Sequence, residues 1–124
     1  MNLRWGIYPW FIELGTDLIH PSDLDAFKEE SNNSKIFECV DVKDYITIRY
    51  NNNYYRVKER LFKLVPTPKY SFGQMVFIKE KKEIGIVTDI MWHYGKKVHY
   101  YLLSTEGKKK TRRYFEEELD CKLH

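Results

Sequence analysis

One repeat spacing constrains this 124-residue chain more than any other feature. "LGTDLIHP" (14–21) lines up with "FGQMVFIK" (72–79), and "YRVKERLFKL" (55–64) lines up with "RYFEEELDCKL" (113–123). Gly15 then meets Gly73, Leu18 meets Val76, Val57 meets Phe115 and Leu61 meets Leu119, all at an offset of 58. A common offset at both ends of a segment is not expected from composition alone and points to a duplicated unit with divergent loops. A unit of this length suits a small sheet of about five strands. Alanine occurs once, at Ala26, while Tyr, Ile, Val, Phe and Thr are plentiful, so strands are favoured over helices.

The second unit reads as "QMVFI" (74–78), a charged turn "KEKKE", and a long strand "IGIVTDIMW" (84–92) whose Gly85 suggests a bend or bulge. The turn "HYGKK" follows, with Gly95 free to take positive φ. Then come "VHYYLLS" (98–104), the tight turn "TEGK", a strand "KKTRRY" (109–114), a single 3₁₀ turn at "EEEL", and a final strand near 120–123. That order is the order of an SH3-like barrel. In the first unit, Ser22 as N-cap and Leu24 with Phe27 on one face predict a short helix over about 22–32. "KIFECVDV" (35–42) and "DYITIRY" (44–50) predict strands, with Ile46, Ile48 and Tyr50 directed inward, and "NNN" (51–53) predicts a hairpin turn.

The expected architecture is therefore mainly β: two tandem SH3-like (Tudor-like) small barrels with one short helix inserted in the first. The first occupies 1–65, including the aromatic opening, and the second 69–124. The intervening "PTP" is too short to act as a free tether, so the two are expected to pack together.

The stretch "FGQMVFIKEKKEIGIVTDI", with "HYYLL" and "EEEL" after it, resembles the Tudor-like barrels of CarD-type bacterial transcription factors and transcription-repair coupling factors. Gly73, Val76, Gly85, Val87, Ile90, Tyr100 and Tyr101 carry the likeness, which implies a small barrel and an RNA polymerase partner. The whole chain, with "WGIYPWF" and "LIHP", is also similar to small bacterial proteins of unknown function.

The cationic run "GKKKTRRYFEEEL" (107–119) admits two readings. If "KKTRRY" is a strand, its side chains alternate and its cations are split between two faces, as on an edge strand protected against pairing and balanced by the acids that follow. Alternatively, Trp92, Tyr94, Tyr100 and Tyr101 beside the lysine turns form a basic groove that stacks on single-stranded nucleic acid. Charge is asymmetric, since residues 67–124 hold twelve Lys and Arg against eight acids and residues 1–66 hold nine against ten. The net charge of +3 is nevertheless modest for a phosphate-backbone binder.

Trp5, Tyr8, Trp10 and Phe11 precede the first expected barrel strand. So many rings either pack across the junction of the barrels or form a partner surface, with Trp5, Tyr8 and Trp10 as a second interface. Enzymatic signatures are missing: no phosphate loop, nucleophile elbow or zinc spacing occurs. His93, His99 and Asp89 come nearest to a metal or acid–base cluster, and plain polar positions are the simpler reading. His20, before Pro21, is placed to hold the corner into the helix. Cys39 and Cys121 read as isolated thiols. No apolar run reaches the roughly 20 residues of a membrane span, and the opening lacks a signal-peptide pattern, so the expected compartment is the cytoplasm.

These features converge on a non-enzymatic interaction module without cofactor or metal. A protein partner is expected at Trp92, Tyr94, Tyr101, Lys110 and Arg112, with nucleic acid as the alternative. Small barrels bind many kinds of ligand, so the fold does not choose between them, and oligomeric state leaves no mark in the sequence.

Overall fold

The computed structural model describes residues 4–121. The chain divides into two compact units, Met1–Thr67 and Pro68–His124, each built on one antiparallel sheet.

The first unit contains β1 (Arg4–Ile7), α1 (Leu24–Glu29), β2 (Ile36–Val42), β3 (Ile46–Tyr50), β4 (Asn53–Val57) and β5 (Lys63–Val65), in the sheet order β4-β3-β2-β1-β5. The second contains β6 (Met75–Ile78), β7 (Glu83–His93), β8 (Val98–Thr105), β9 (Lys108–Lys109), β10 (Tyr114–Phe115) and β11 (Leu119–Asp120). Its order is β10-β8-β7-β6-β11, with β9 added on β8. Apart from β9 the chain follows the same path twice, and each time a 3₁₀ turn precedes the last strand, at Glu59–Leu61 and Glu116–Glu118. The end strands of each path do not pair with each other, so the units are two open antiparallel sheets and not the closed barrels expected.

The repeat is real in topology but half misplaced in sequence. At its C-terminal end the echo falls on matching elements, a strand and then a 3₁₀ turn. At its N-terminal end it does not: "LGTDLIHP" forms consecutive 3₁₀ turns and a single bridge from Ile19 to Val57, with no strand. The first strand is instead β1, inside the aromatic opening, and the long excursion through α1 lies between β1 and β2. Gly6 permits this placement. A Cβ there would lie 2.5 Å from the Lys63 carbonyl oxygen and 2.7 Å from the Phe62 ring, so β1 and β5 meet only because position 6 has no side chain.

Trp5, Tyr8 and Trp10 are accordingly buried, with 5%, 0% and 7% exposure, and do not present an outward second interface. Tyr8 and Trp10 are organised by Phe27, the buried residue of α1. Its ring centroid lies 5.8 Å from Tyr8, 5.8 Å from Trp10, 6.0 Å from Phe37 and 5.0 Å from Tyr55. A six-residue helix has little stability of its own, so this packing is what fixes it. Polar contacts add to it. Asn32 donates to the carbonyls of Tyr8 and Trp10, and Glu30 accepts from the Tyr55 hydroxyl and pairs with Lys35. The helix entry differs from expectation: Ser22 is not the cap, and its N–H donates to His20 Nδ1 at 3.0 Å. Asp23 turns away to hold the Arg56 side chain in a two-point contact of 2.9 and 3.1 Å. The excursion therefore covers β4, whose edge would otherwise be open to another chain.

In the second unit, Val76, Ile78, Val87, Ile90, Leu103 and Leu119 form the core around Tyr101, with Tyr70 edge-on at 5.4 Å. The expected strand over 109–114 is broken. β9 ends at Lys109 and β10 begins at Tyr114; the Lys110 N–H still donates to the Leu103 carbonyl at 2.8 Å, and 111–113 belong to no strand. The bulge in β7 falls between Val87 and Asp89 and not at Gly85. In the "HYGKK" turn Lys97, not Gly95, takes positive φ. Glu106 and Gly107 both take it at the β8–β9 turn, the pattern of a type I′ hairpin. The last strand is Leu119–Asp120, and the end of the expected strand lies outside the described residues.

Truncating Phe27 to Ala should lower stability by about 3–5 kcal/mol, as for other buried phenylalanines, measured by urea denaturation. Alkali offers a second check. Burial pushes the hydroxyls of Tyr8, Tyr55 and Tyr101 well above the ordinary range, and Glu30 and Glu116 add to it for the last two. The unfolded chain gives up these protons first, so their contribution is complete below pH ~10 and is lost as pH rises beyond it. The urea midpoint should fall as pH rises from about 10 upward, with a part of the tyrosinate absorbance, that of the buried rings, appearing only together with unfolding.

Candidate interaction site

The outward side of the second sheet carries an unusual set of residues. Register pairs Met91 with Tyr100, Phe115 with Tyr100, and His93 with Val98, so His93, Tyr100 and Phe115 share the face opposite buried Tyr101 and Tyr114. Their rings form a triangle with centroid separations of 5.8 Å (His93 to Phe115), 6.4 Å (His93 to Tyr100) and 6.2 Å (Tyr100 to Phe115). Two cations stand on it: Lys96 Nζ is 4.5 Å from the Phe115 centroid, and the Arg113 guanidinium carbon is 5.2 Å from that of Tyr100. Neither has an ion pair among the described residues. The main-chain N–H of Lys96 donates to His93 Nδ1 at 3.0 Å, so the neutral ring carries its proton on Nε2.

Beside this triangle two other cations, Arg112 and Lys109, are neutralised. Arg112 lies over Tyr114 at 4.7 Å and contacts Glu80 at 2.9 Å and Glu118 at 3.2 Å. Lys109 reaches the largely buried carboxylate of Asp89 at 3.0 Å. Glu118 also accepts the Phe115 N–H at 2.9 Å, which fixes the 3₁₀ turn against β10.

The five residues singled out in the sequence do not form one surface. Tyr101 is fully buried. Its hydroxyl accepts from the Lys69 N–H at 3.1 Å and donates to Glu116 at 2.9 Å, so it braces the fold from inside. Trp92 is half-buried and meets the buried His99 edge-on at 5.2 Å, away from the triangle's face. Tyr94 is exposed in the hairpin turn, Lys110 is exposed, and Arg112 is held by its two glutamates. His93, Lys96, Tyr100, Arg113 and Phe115 were not among them. Strict β alternation places His93 opposite in face to Trp92 and Tyr100 opposite to Tyr101, so part of the set was readable. The irregular 110–113 segment defeats the same rule for the arginines. His93 and His99 fall on opposite faces and form no cluster. Among the described residues no group of three or more His, Cys, Asp or Glu is placed to hold a metal ion.

The first unit has a shallow cleft of 340 Å³ lined by His20, Asp41, Lys43, Asp44, Tyr45, Thr47 and Arg56. Its charges are spent on near neighbours: Lys43 on Asp41 at 3.6 Å, Lys58 on Asp44 at 3.7 Å, and Arg56 on Asp23 at 2.9 Å. Lys58 Nζ also covers the Tyr45 ring at 4.2 Å.

Fold and site thus define a mainly β protein of two topologically matched units, the second presenting a cation-capped aromatic face. No helix among the described residues is long and apolar enough to cross a membrane. The chain belongs to a family of unknown function (DUF6960), whose model matches residues 1–120. No curated protein and no solved structure matches the chain, and the likeness to CarD-type barrels gains no support from the family match.

Replacing Tyr101 by Phe removes the acceptor for Lys69 and the donor to Glu116 from a buried site. It should cost on the order of 1–3 kcal/mol in urea denaturation while leaving the outward face chemically unchanged.

Proposed function

We propose that this protein is a non-enzymatic interaction module that binds a protein partner through the outward face of its second unit. The observation that carries this reading is the ring triangle with two cations held on its rings, neither paired with a carboxylate among the described residues, whereas Arg112 nearby is held by Glu80 and Glu118. Aromatic side chains and arginine are the residues that dominate protein-binding hot spots. Exposed Tyr94, at 49%, and Val98, at 41%, extend the face with apolar area. We read the units as SH3-like barrels left partly open, and the repeated strand order with a 3₁₀ turn before each last strand supports that reading.

Nucleic acid is the weaker reading for a physical reason. Bases bind such platforms by stacking on free ring faces, and here Lys96 and Arg113 each occupy the face of a ring of the triangle.

A photo-crosslinking residue at Tyr94 should capture a protein from extracts of the source cells that the same residue at Tyr54, exposed on the first unit, does not. The purified captured protein should then lose about tenfold or more in affinity for a Tyr100→Ser/Phe115→Ser variant, as expected of hot-spot truncation, at unchanged thermal midpoint. Equal capture at both positions, or equal affinity for the variant, would overturn the reading.

A further inference from the structure

We infer that the triangle recognises a short acidic segment, with aspartate or glutamate side chains seated against Lys96 and Arg113. This inference rests on the protein-binding reading and names the chemistry of the partner.

Charge is the first support. Lys96 and Arg113 are exposed, each sits on one of two neighbouring rings, and neither meets a carboxylate among the described residues. Arginine presents a planar fork matched to a carboxylate, while lysine supplies a point charge. The proton on His93 Nε2 gives this face a third donor.

Preorganisation is the second. Cation–π contact holds both long side chains over rigid rings before any ligand arrives, so less rotamer entropy is lost on binding. The rings are themselves fixed by β7, β8 and β10.

Nearby carboxylates are the third. Glu116, Glu117 and Glu118 follow Phe115 directly, Glu118 accepts the Phe115 N–H, and Glu80 and Glu118 hold Arg112. Their charge disfavours a long polyanion relative to a short acidic segment at this end of the sheet.

The test uses fluorescence anisotropy of the full chain at low salt, with three labelled probes of equal length. One peptide is rich in Asp and Glu and carries one Tyr, a second has Asn and Gln in their place, and the third probe is oligo-dT. The acidic peptide should bind, the neutral one should not, and Lys96→Glu/Arg113→Glu should weaken binding by ~tenfold or more, as for loss of two charge-assisted contacts. Lys28→Glu/Lys81→Glu changes net charge equally at exposed positions elsewhere and should leave affinity within about twofold, because screened distant charges contribute little. Absence of acidic-peptide binding, equal loss in both double variants, or binding of oligo-dT in preference to the peptide would each overturn the inference. If the partner captured at Tyr94 binds the Lys96→Glu/Arg113→Glu protein normally, the acidic-segment inference falls while the protein-binding reading stands. If no partner is captured at all, it is the reading that fails.

Discussion

Phe27 is the residue on which the first unit depends. A small sheet has an inner face that needs a cover, and here the cover is one phenylalanine carried on a six-residue helix and surrounded by Tyr8, Trp10, Phe37 and Tyr55. The helix does not persist without that burial. The Asn32 amide, the Glu30 carboxylate and the Arg56–Asp23 pair all act to return the long β1–β2 excursion to the sheet. In doing so they close off β4 as a site for unwanted strand pairing.

The second unit solves the same problem without a helix. Tyr101 fills the centre, and its hydroxyl ties the segment around Lys69 and Tyr70 to the 3₁₀ turn at Glu116. Because that tyrosine and Tyr114 point inward, their strand neighbours Tyr100 and Phe115 must point outward, and the register of three strands brings them beside His93. The candidate site is therefore a by-product of core packing that cations from two loops have capped. Two units sharing a strand order have been specialised differently: one covers its edge with an inserted helix, and the other displays a charged aromatic face.

Chain order was partly legible. Most strands between Lys35 and Thr105 follow from β-branched and aromatic runs, and Ile46, Ile48 and Tyr50 are buried as alternation requires. The aromatic opening was the main failure. Proline and glycine within "WGIYPWF" mask a strand of four residues, and Gly6 has a packing role that no propensity reveals. The stretch "KKTRRY" differs for another reason: it has strand composition, but its backbone leaves β8 after the Lys110 N–H bond to Leu103, and the next strand begins only at Tyr114.

By itself the sequence determined that this is a β-rich chain made of two similar units, with excess positive charge in the second half, because composition, periodicity and repeat spacing are local properties. Which aromatics lie inside was decided by tertiary structure, since Trp5, Tyr8, Trp10 and Tyr101 differ from Tyr94, Tyr100 and Phe115 only in the face their strand or turn presents. Which cations remain available was decided there too. Arg112 and Arg113 are adjacent in the chain, yet one is spent on Glu80 and Glu118 and the other rests on Tyr100. Coulomb energy and ring contact depend on distances of a few ångströms in space, and those distances are set by how the chain folds back on itself, not by order along the chain.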